Sequence, residues 1–83
     1  MTRILFFGRI GEAAGCGELD VALPDGVRTL SALRAWLGAR DEALGDVIHS
    51  PKIRVAVDQQ FCNEDRDIAE AREIAFMSPL SGG

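Results

Sequence analysis

The fold is decided first near the start of the chain, where residues Arg3–Phe7 have the sequence RILFF. Four consecutive apolar residues without alternation predict a short strand that is buried on both faces. A second such run, Glu73–Met77 (EIAFM), predicts the final strand of the chain. Because central strands are the ones buried on both faces, we expect these two strands to pair in the middle of a sheet.

The segments between these runs predict the remaining strands and connections. Apolar residues alternate with more polar ones over 18–23 and again over 53–57, and a short strand is expected around 61–62. Residues 41–48 are compatible with a short second helix. Four glycines within 8–17 predict a turning connection, because they match neither a dinucleotide-binding nor a phosphate-binding loop.

A helical period occupies the middle of the chain. Leu30, Leu33 and Leu37 recur at spacings of three and four residues, which places them on one face of a helix. Thr29 is suited to cap its N-terminus, and Gly38 is expected to end it. One covering helix is what a single sheet of this size needs.

This order of elements predicts an α+β fold, the ubiquitin-like β-grasp roll. Residues 1–77 are expected to form a mixed sheet of about five strands packed on one main helix. Residues 78–83 are expected to form a flexible C-terminal tail. The predicted core between helix and sheet consists of Leu5, Phe7, Leu33, Leu37 and Ile74.

Composition limits the classes of function. The chain has 83 residues and a net charge of −4, with 47% hydrophobic and 27% charged residues, so we expect one soluble, cytoplasmic domain. Its longest apolar run, Ile4–Phe7, is far below the ~20 residues of a membrane span, and no secretory signal precedes it. No basic stripe is present, so neither a membrane nor a nucleic acid is an expected partner.

The residues that could bind a metal are few and scattered. Cys16, Cys62 and the single histidine, His49, have no metal-ligand spacing, so we expect no metal site and no cofactor bound by the chain itself. Residues 58–73 contain six acids against two arginines. This segment is either a solvated edge or a patch that steers a basic partner.

The tail carries the features that point to chemistry. After the last predicted strand comes SPLSGG, residues 78–83. Pro79 favours an extended conformation at Ser78, and six extended residues reach at most about 20 Å. Gly82 and Gly83 lack β-carbons, so they could enter a narrow active site on another protein. Two terminal glycines alone are weak evidence, because chain ends are often frayed.

Taken with the predicted fold, these features resemble the small subunit of molybdopterin synthase, a ubiquitin-like sulfur carrier. The likeness extends over nearly the whole chain, although Gly11, Met77 and Ser78 depart from residues that are common in that family. The segments of this chain that match the family best are residues 4–7, 12–15, 29–34, 55–59 and 73–83.

The resemblance implies a function and a set of partners. An ATP-dependent enzyme would adenylate the carboxylate of Gly83, and a sulfur donor would convert it to a thiocarboxylate. The chain would then act as a non-catalytic subunit, in a heterotetramer with a large subunit that supplies the catalytic groups. Sulfur would pass to cyclic pyranopterin monophosphate in molybdenum cofactor biosynthesis.

The resemblance also assigns roles to residues near the tail. Pro79, Leu80, Ser81 and Gly82 would thread into the large subunit. A docking patch is expected beside the root of the tail, formed by exposed side chains of Phe76, Met77 and Leu80. Because adjacent strand residues face opposite sides, at least one of Phe76 and Met77 is expected to point outward.

Three alternatives remain open from the sequence. A sulfur carrier of thiamine biosynthesis would have the same fold, tail and activation chemistry. A ubiquitin-like protein modifier would be attached to target lysines through Gly83. A plain interaction domain would carry the two glycines incidentally.

Overall fold

The computed structural model describes residues 1–62 and 65–78. Within these residues, the strands and helices follow one another in the predicted order, with one additional helix near the start of the chain. The elements are β1 (Thr2–Phe7), α1 (Arg9–Ala14), β2 (Glu18–Val21), α2 (Leu30–Arg40), α3 (Glu42–Ile48), β3 (Arg54–Val57), β4 (Gln60–Cys62) and β5 (Glu73–Met77).

The strands form one mixed sheet in the order β2-β1-β5-β3-β4. Strand β1 is parallel to β5 and antiparallel to β2, while β3 is antiparallel to both β5 and β4. The predicted pairing of the first and last strands at the centre is therefore confirmed. The strand expected around 61–62 is β4, at one edge of the sheet.

One face of the sheet is covered by the helices and forms the core. Ile4 pairs with Ile74 in the β1–β5 register, and Phe6 pairs with Phe76 two residues further along. The rings of Phe6 and Phe76 stack with their centroids 6.0 Å apart. Leu33, Leu37 and Ile74 are buried as predicted, in a cluster with these helical residues: Ile10, Leu30, Leu44 and Ile48.

The main helix begins where it was predicted to begin but ends later. The hydroxyl of Thr29 accepts a hydrogen bond from the amide of Ala32, which caps α2. The prediction that Gly38 ends the helix is wrong, because α2 continues to Arg40. A β-carbon at Gly45 of α3 would lie 2.9 Å from the Gly38 carbonyl oxygen. Gly38 therefore allows α2 and α3 to pack closely where they cross.

The glycine-rich segment contains a helix that the sequence did not predict. Helix α1 is six residues long and buries Ile10, while Gly15 ends it with a left-handed φ of 77°. Glycine is the residue that most easily adopts this conformation at a helix C-terminus. The prediction of a turning connection is therefore correct for Gly8 and Gly15, where the chain turns, and wrong for residues 9–14, which form α1.

The prediction that β1 is buried on both faces is also wrong. Thr2, Ile4 and Phe6 are buried, whereas Leu5 is only half-buried and Phe7 is 51% exposed. The reason is that the helical layer packs on one face of the sheet, and alternate residues of a strand point to opposite faces. Leu5 and Phe7 therefore do not belong to the core.

The acidic segment is fastened to the domain through its carboxylates. Asp58 accepts hydrogen bonds from the amides of Arg72 and Glu73, and Asp65 accepts one from the amide of Ser31. The hydrogen bond to Asp65, which is an exposed carboxylate, lowers its pKa below the ordinary value of 3.8. These acids thus have a structural role in addition to being solvated.

Candidate functional site

The face of the sheet opposite the helices carries an apolar row across four strands. Leu5, Ala75, Ala56 and Phe61 lie side by side in the strand registers. The two alanines are buried between larger neighbours, and Phe61 at the edge is 59% exposed. We call this side of the sheet, which the helices leave uncovered, the open face.

The second row lies at the end of β5 from which the tail continues. Phe7 is aligned with Met77, and Met77 is aligned with Arg54 on β3. The guanidinium carbon of Arg54 lies 4.5 Å from the ring centroid of Phe61, so this cation covers part of the aromatic surface. The open face therefore remains apolar at Phe7 and Met77 up to the root of the tail, with Arg54 beside them on β3.

Charged residues border the opposite end of the open face. The Arg3 guanidinium lies 3.3 Å from a carboxylate oxygen of Glu18 and 3.6 Å from one of Asp20. All three side chains are about half exposed, so these ion pairs contribute little to stability. They mark where the apolar surface ends.

Basic residues gather where α2 meets the β3 and β4 edge of the sheet. A cavity of about 550 Å³ is lined by Arg34, Lys52 and Arg54, together with Asp65. The chain as a whole has a net charge of −4, so this positive cluster runs against the overall charge. Of these basic residues, Arg54 is the one that also lies on the open face.

The root of the tail is held by hydrogen bonds. The amide of Ser78 donates to the carbonyl oxygen of Phe7 at 3.0 Å, which continues the β1–β5 pairing by one residue. The hydroxyl of Ser78 accepts a hydrogen bond from the amide of Ile10 at 2.8 Å. Ser78 is therefore tied to both β1 and α1 at the point where the tail begins.

The structure separates the predicted docking residues. The expectation that Phe76 is exposed is wrong, because its side chain is 0% exposed and stacks on Phe6 in the core. Met77 is half-buried on the open face. The other residues predicted to act at the site, Pro79, Leu80, Ser81, Gly82 and Gly83, lie outside the described residues.

Two exposed aromatic residues of the open face were missed by the sequence analysis. Phe7 was assigned to the core, and Phe61 was assigned only to a short strand. The signal for Phe7 was its position next to Phe6, because adjacent residues in a strand face opposite sides. For Phe61, the register against Ala56 was needed, and only the folded chain supplies it.

The described residues were also compared with the requirements of a metal site and of a membrane span. Among residues 1–62 and 65–78, no three His, Cys, Asp or Glu side chains are grouped in a way that could hold a metal ion. None of the helices formed by these residues is both long and apolar enough to cross a membrane.

Comparison with known families identifies the chain. The ThiS family model matches residues 4–83. The chain belongs to the ThiS family. Among curated relatives, it is 29% identical to the molybdopterin synthase sulfur carrier subunit of Escherichia coli and 28% identical to that of Haemophilus influenzae. Each alignment covers all 83 residues of this chain and the whole of the relative.

Solved structures resemble this ThiS-family chain over nearly its full length. SAMP1 from Haloferax volcanii superposes with a TM-score of 0.77 at 25% identity, covering 99% of this chain and 98% of SAMP1. A candidate molybdopterin converting factor, subunit 1, from Pyrococcus furiosus has a TM-score of 0.69 at 18% identity, covering 95% and 97% of the two chains. The predicted ubiquitin-like β-grasp fold is confirmed.

Proposed function

We propose that this chain is the sulfur-carrier subunit of a molybdopterin synthase. The observation that carries the proposal is the full-length match to two curated relatives of that name, within a family match that extends to Gly83. The open face beside the root of the tail supports it, because a carrier must dock while its tail is presented to a partner. Such a partner is the large subunit of the synthase.

The chemistry begins at the Gly83 carboxylate. A carboxylate is a poor electrophile, so one of its oxygens first attacks the α-phosphorus of ATP in an activating enzyme, and pyrophosphate leaves. Sulfur from a donor, at the oxidation level of sulfide, then attacks the acyl carbon and displaces AMP. The product is a thiocarboxylate, whose sulfur is a soft nucleophile at neutral pH.

In the second stage the large subunit supplies the reacting environment. The open face, with Phe7 and Phe61 exposed, gives the large subunit an apolar surface next to the tail. The tail then places the thiocarboxylate near cyclic pyranopterin monophosphate, which receives the sulfur. We place these two subunits in a heterotetramer in the cytoplasm.

The chain contributes no acid or base to this transfer. The two hydroxyls near its end belong to Ser78 and Ser81. That of Ser78 is already engaged as an acceptor for the amide of Ile10. The general acid and base groups are therefore assigned to the large subunit, and this chain is a non-catalytic sulfur donor.

Intact-mass measurement tests the proposal. The chain is incubated with ATP, an activating enzyme and a sulfur donor, then supplied to the large subunit with cyclic pyranopterin monophosphate. We expect the mass to rise by the difference between one sulfur and one oxygen atom, and molybdopterin to form. Deleting Gly83 should abolish both results and leave the melting temperature unchanged, because residue 83 follows the last strand. Full activity of the deletion variant would refute the carrier assignment.

The same experiment separates the alternatives. A sulfur carrier of thiamine biosynthesis would also gain the thiocarboxylate mass, but it would support thiazole formation and not molybdopterin formation. A protein modifier would give covalent conjugates on target lysines. A plain interaction domain would show neither a mass change nor conjugates.

A further inference from the structure

The N-terminus of helix α1 has no cap from its own segment. Its N-cap residue is Gly8, which has no side chain to accept a hydrogen bond from the first turn. The Ser78 hydroxyl, 68 positions away from Ile10 in sequence, accepts the hydrogen bond from the Ile10 amide instead. A side-chain oxygen that accepts from the first turn is what an N-cap provides. Ser78 therefore caps α1 from the other end of the chain.

Gly8 makes this contact possible. Its backbone has φ 82° and ψ −150°, a region essentially restricted to glycine. A β-carbon at Gly8 would lie 3.1 Å from the β-carbon of Ser78, which is tighter than ordinary packing allows. The absence of a side chain at Gly8 thus lets Ser78 approach the start of α1 closely.

The backbone of Ser78 is fixed as well. Its amide donates to the Phe7 carbonyl oxygen, so residue 78 is held on the β1 side by the backbone and on the α1 side by the hydroxyl. The next residue, Pro79, restricts residue 78 to extended conformations and has no amide hydrogen of its own. These constraints together leave little freedom at residue 78.

From these contacts we propose that Ser78 is a positioning residue that sets the direction in which the tail leaves β5. This inference rests on the proposed function, because it concerns how Gly83 is presented to the activating enzyme. Without the hydroxyl, residue 78 would sample more orientations, and only a fraction of them would suit the enzyme. The apparent affinity falls in proportion to the competent fraction, while the chemistry of the bound tail is unchanged.

The test compares Ser78→Ala with a matched control. Ser50→Ala removes a hydroxyl that also accepts a backbone amide hydrogen bond, from Lys52, in a turn outside the Ser78–α1 contact. For Ser78→Ala we expect the Ile10 amide to exchange its hydrogen roughly 5- to 30-fold faster, the range that loss of a cap implies. We also expect a several-fold higher KM for the chain in adenylation, with kcat unchanged. Ser50→Ala should change neither quantity, and Ser78→Thr should restore both.

The outcomes separate this inference from the proposed function. If the wild-type chain is adenylated and Ser78→Ala keeps the wild-type KM, the positioning role is wrong and the carrier function stands. Unchanged hydrogen exchange at Ile10 would refute the capping contact itself. If no activating enzyme adenylates the wild-type chain, the proposed function fails and the positioning role fails with it.

Discussion

The two faces of the sheet use the same strands for different purposes. On the covered face, Ile4, Phe6, Ile74 and Phe76 are buried against the helices. On the open face, the residues next to them in sequence are half-buried or exposed, with Phe7 at 51%, except Ala75, which is buried beneath larger neighbours. A change of one position along β1 or β5 therefore moves a side chain from the core to the candidate docking surface.

This difference shows that the hydrophobicity of a residue does not by itself predict whether its side chain is buried in this domain. Phe6 and Phe7 are identical residues in adjacent positions, and only one of them stabilises the fold through core packing. The large aromatic residues of the open face remain available to a partner at little cost to folding. Stability and partner binding should therefore respond to different residues of the same strand.

The largest expected effect comes from Phe76→Ala on the covered face. Removing a fully buried ring that stacks on Phe6 should lower the free energy of unfolding by about 3–5 kcal/mol. Urea denaturation measures this loss, and Met77→Ala on the open face is the control, with a clearly smaller cost. A loss below about 0.5 kcal/mol for Phe76→Ala would show that the faces are assigned wrongly.

A smaller loss is expected in the helical layer that covers the core. In Gly45→Ala, the new β-carbon would meet the Gly38 carbonyl oxygen at 2.9 Å. Overpacking costs about 1–3 kcal/mol, which outweighs the gain of up to about 1 kcal/mol in helix propensity. Thermal unfolding should show a lower melting temperature. Gly26→Ala, where a β-carbon meets open space, is the control and should not lower it.

A substitution on the open face should affect partner binding more than stability. Phe7→Ala should lower the free energy of unfolding by only about 1 kcal/mol, since the ring is half exposed. Affinity for the large synthase subunit should fall about tenfold or more in calorimetric titration, as for an aromatic residue at the centre of an interface. Arg40→Ala removes a long exposed side chain from the helical layer and should leave affinity unchanged. Equal affinities for wild type and Phe7→Ala would exclude this face as the docking surface.

The smallest effect concerns acid stability at the edge of the domain. The amide of Ser31 lowers the pKa of Asp65 in the folded chain, so the folded state binds this proton less readily than the unfolded state. The stabilisation is present above pH 3.8 and is lost as pH falls through the lower folded pKa. In Asp65→Asn, the free energy of unfolding should therefore depend less steeply on pH in that window. Asp25→Asn is the control, and an unchanged slope in Asp65→Asn would refute the contribution.

Much of the fold was predictable because its signals are local. The alternation over 53–57 and the helical period of Leu30, Leu33 and Leu37 are properties of neighbouring residues. The cap at Thr29 acts within four residues, so it too could be recognised in advance. The candidate site was predicted less well, because Phe76 was placed on the surface and Phe7 in the core. Alternation shows that adjacent residues oppose each other, but it does not show which face the helices cover.

The sequence by itself determined the order of the strands and the place of α2, because period and apolar runs depend on the chain's own neighbours. The central pairing of β1 with β5 was also predicted correctly, although β1 is buried on one face and not on both. Tertiary structure decided the features that join distant segments. Gly38 lies inside α2, where Gly45 of α3 approaches it closely, and α1 forms in a glycine-rich segment with its cap supplied by Ser78. In each case the residue depends on a contact with another element of the fold, so only the folded chain specifies it.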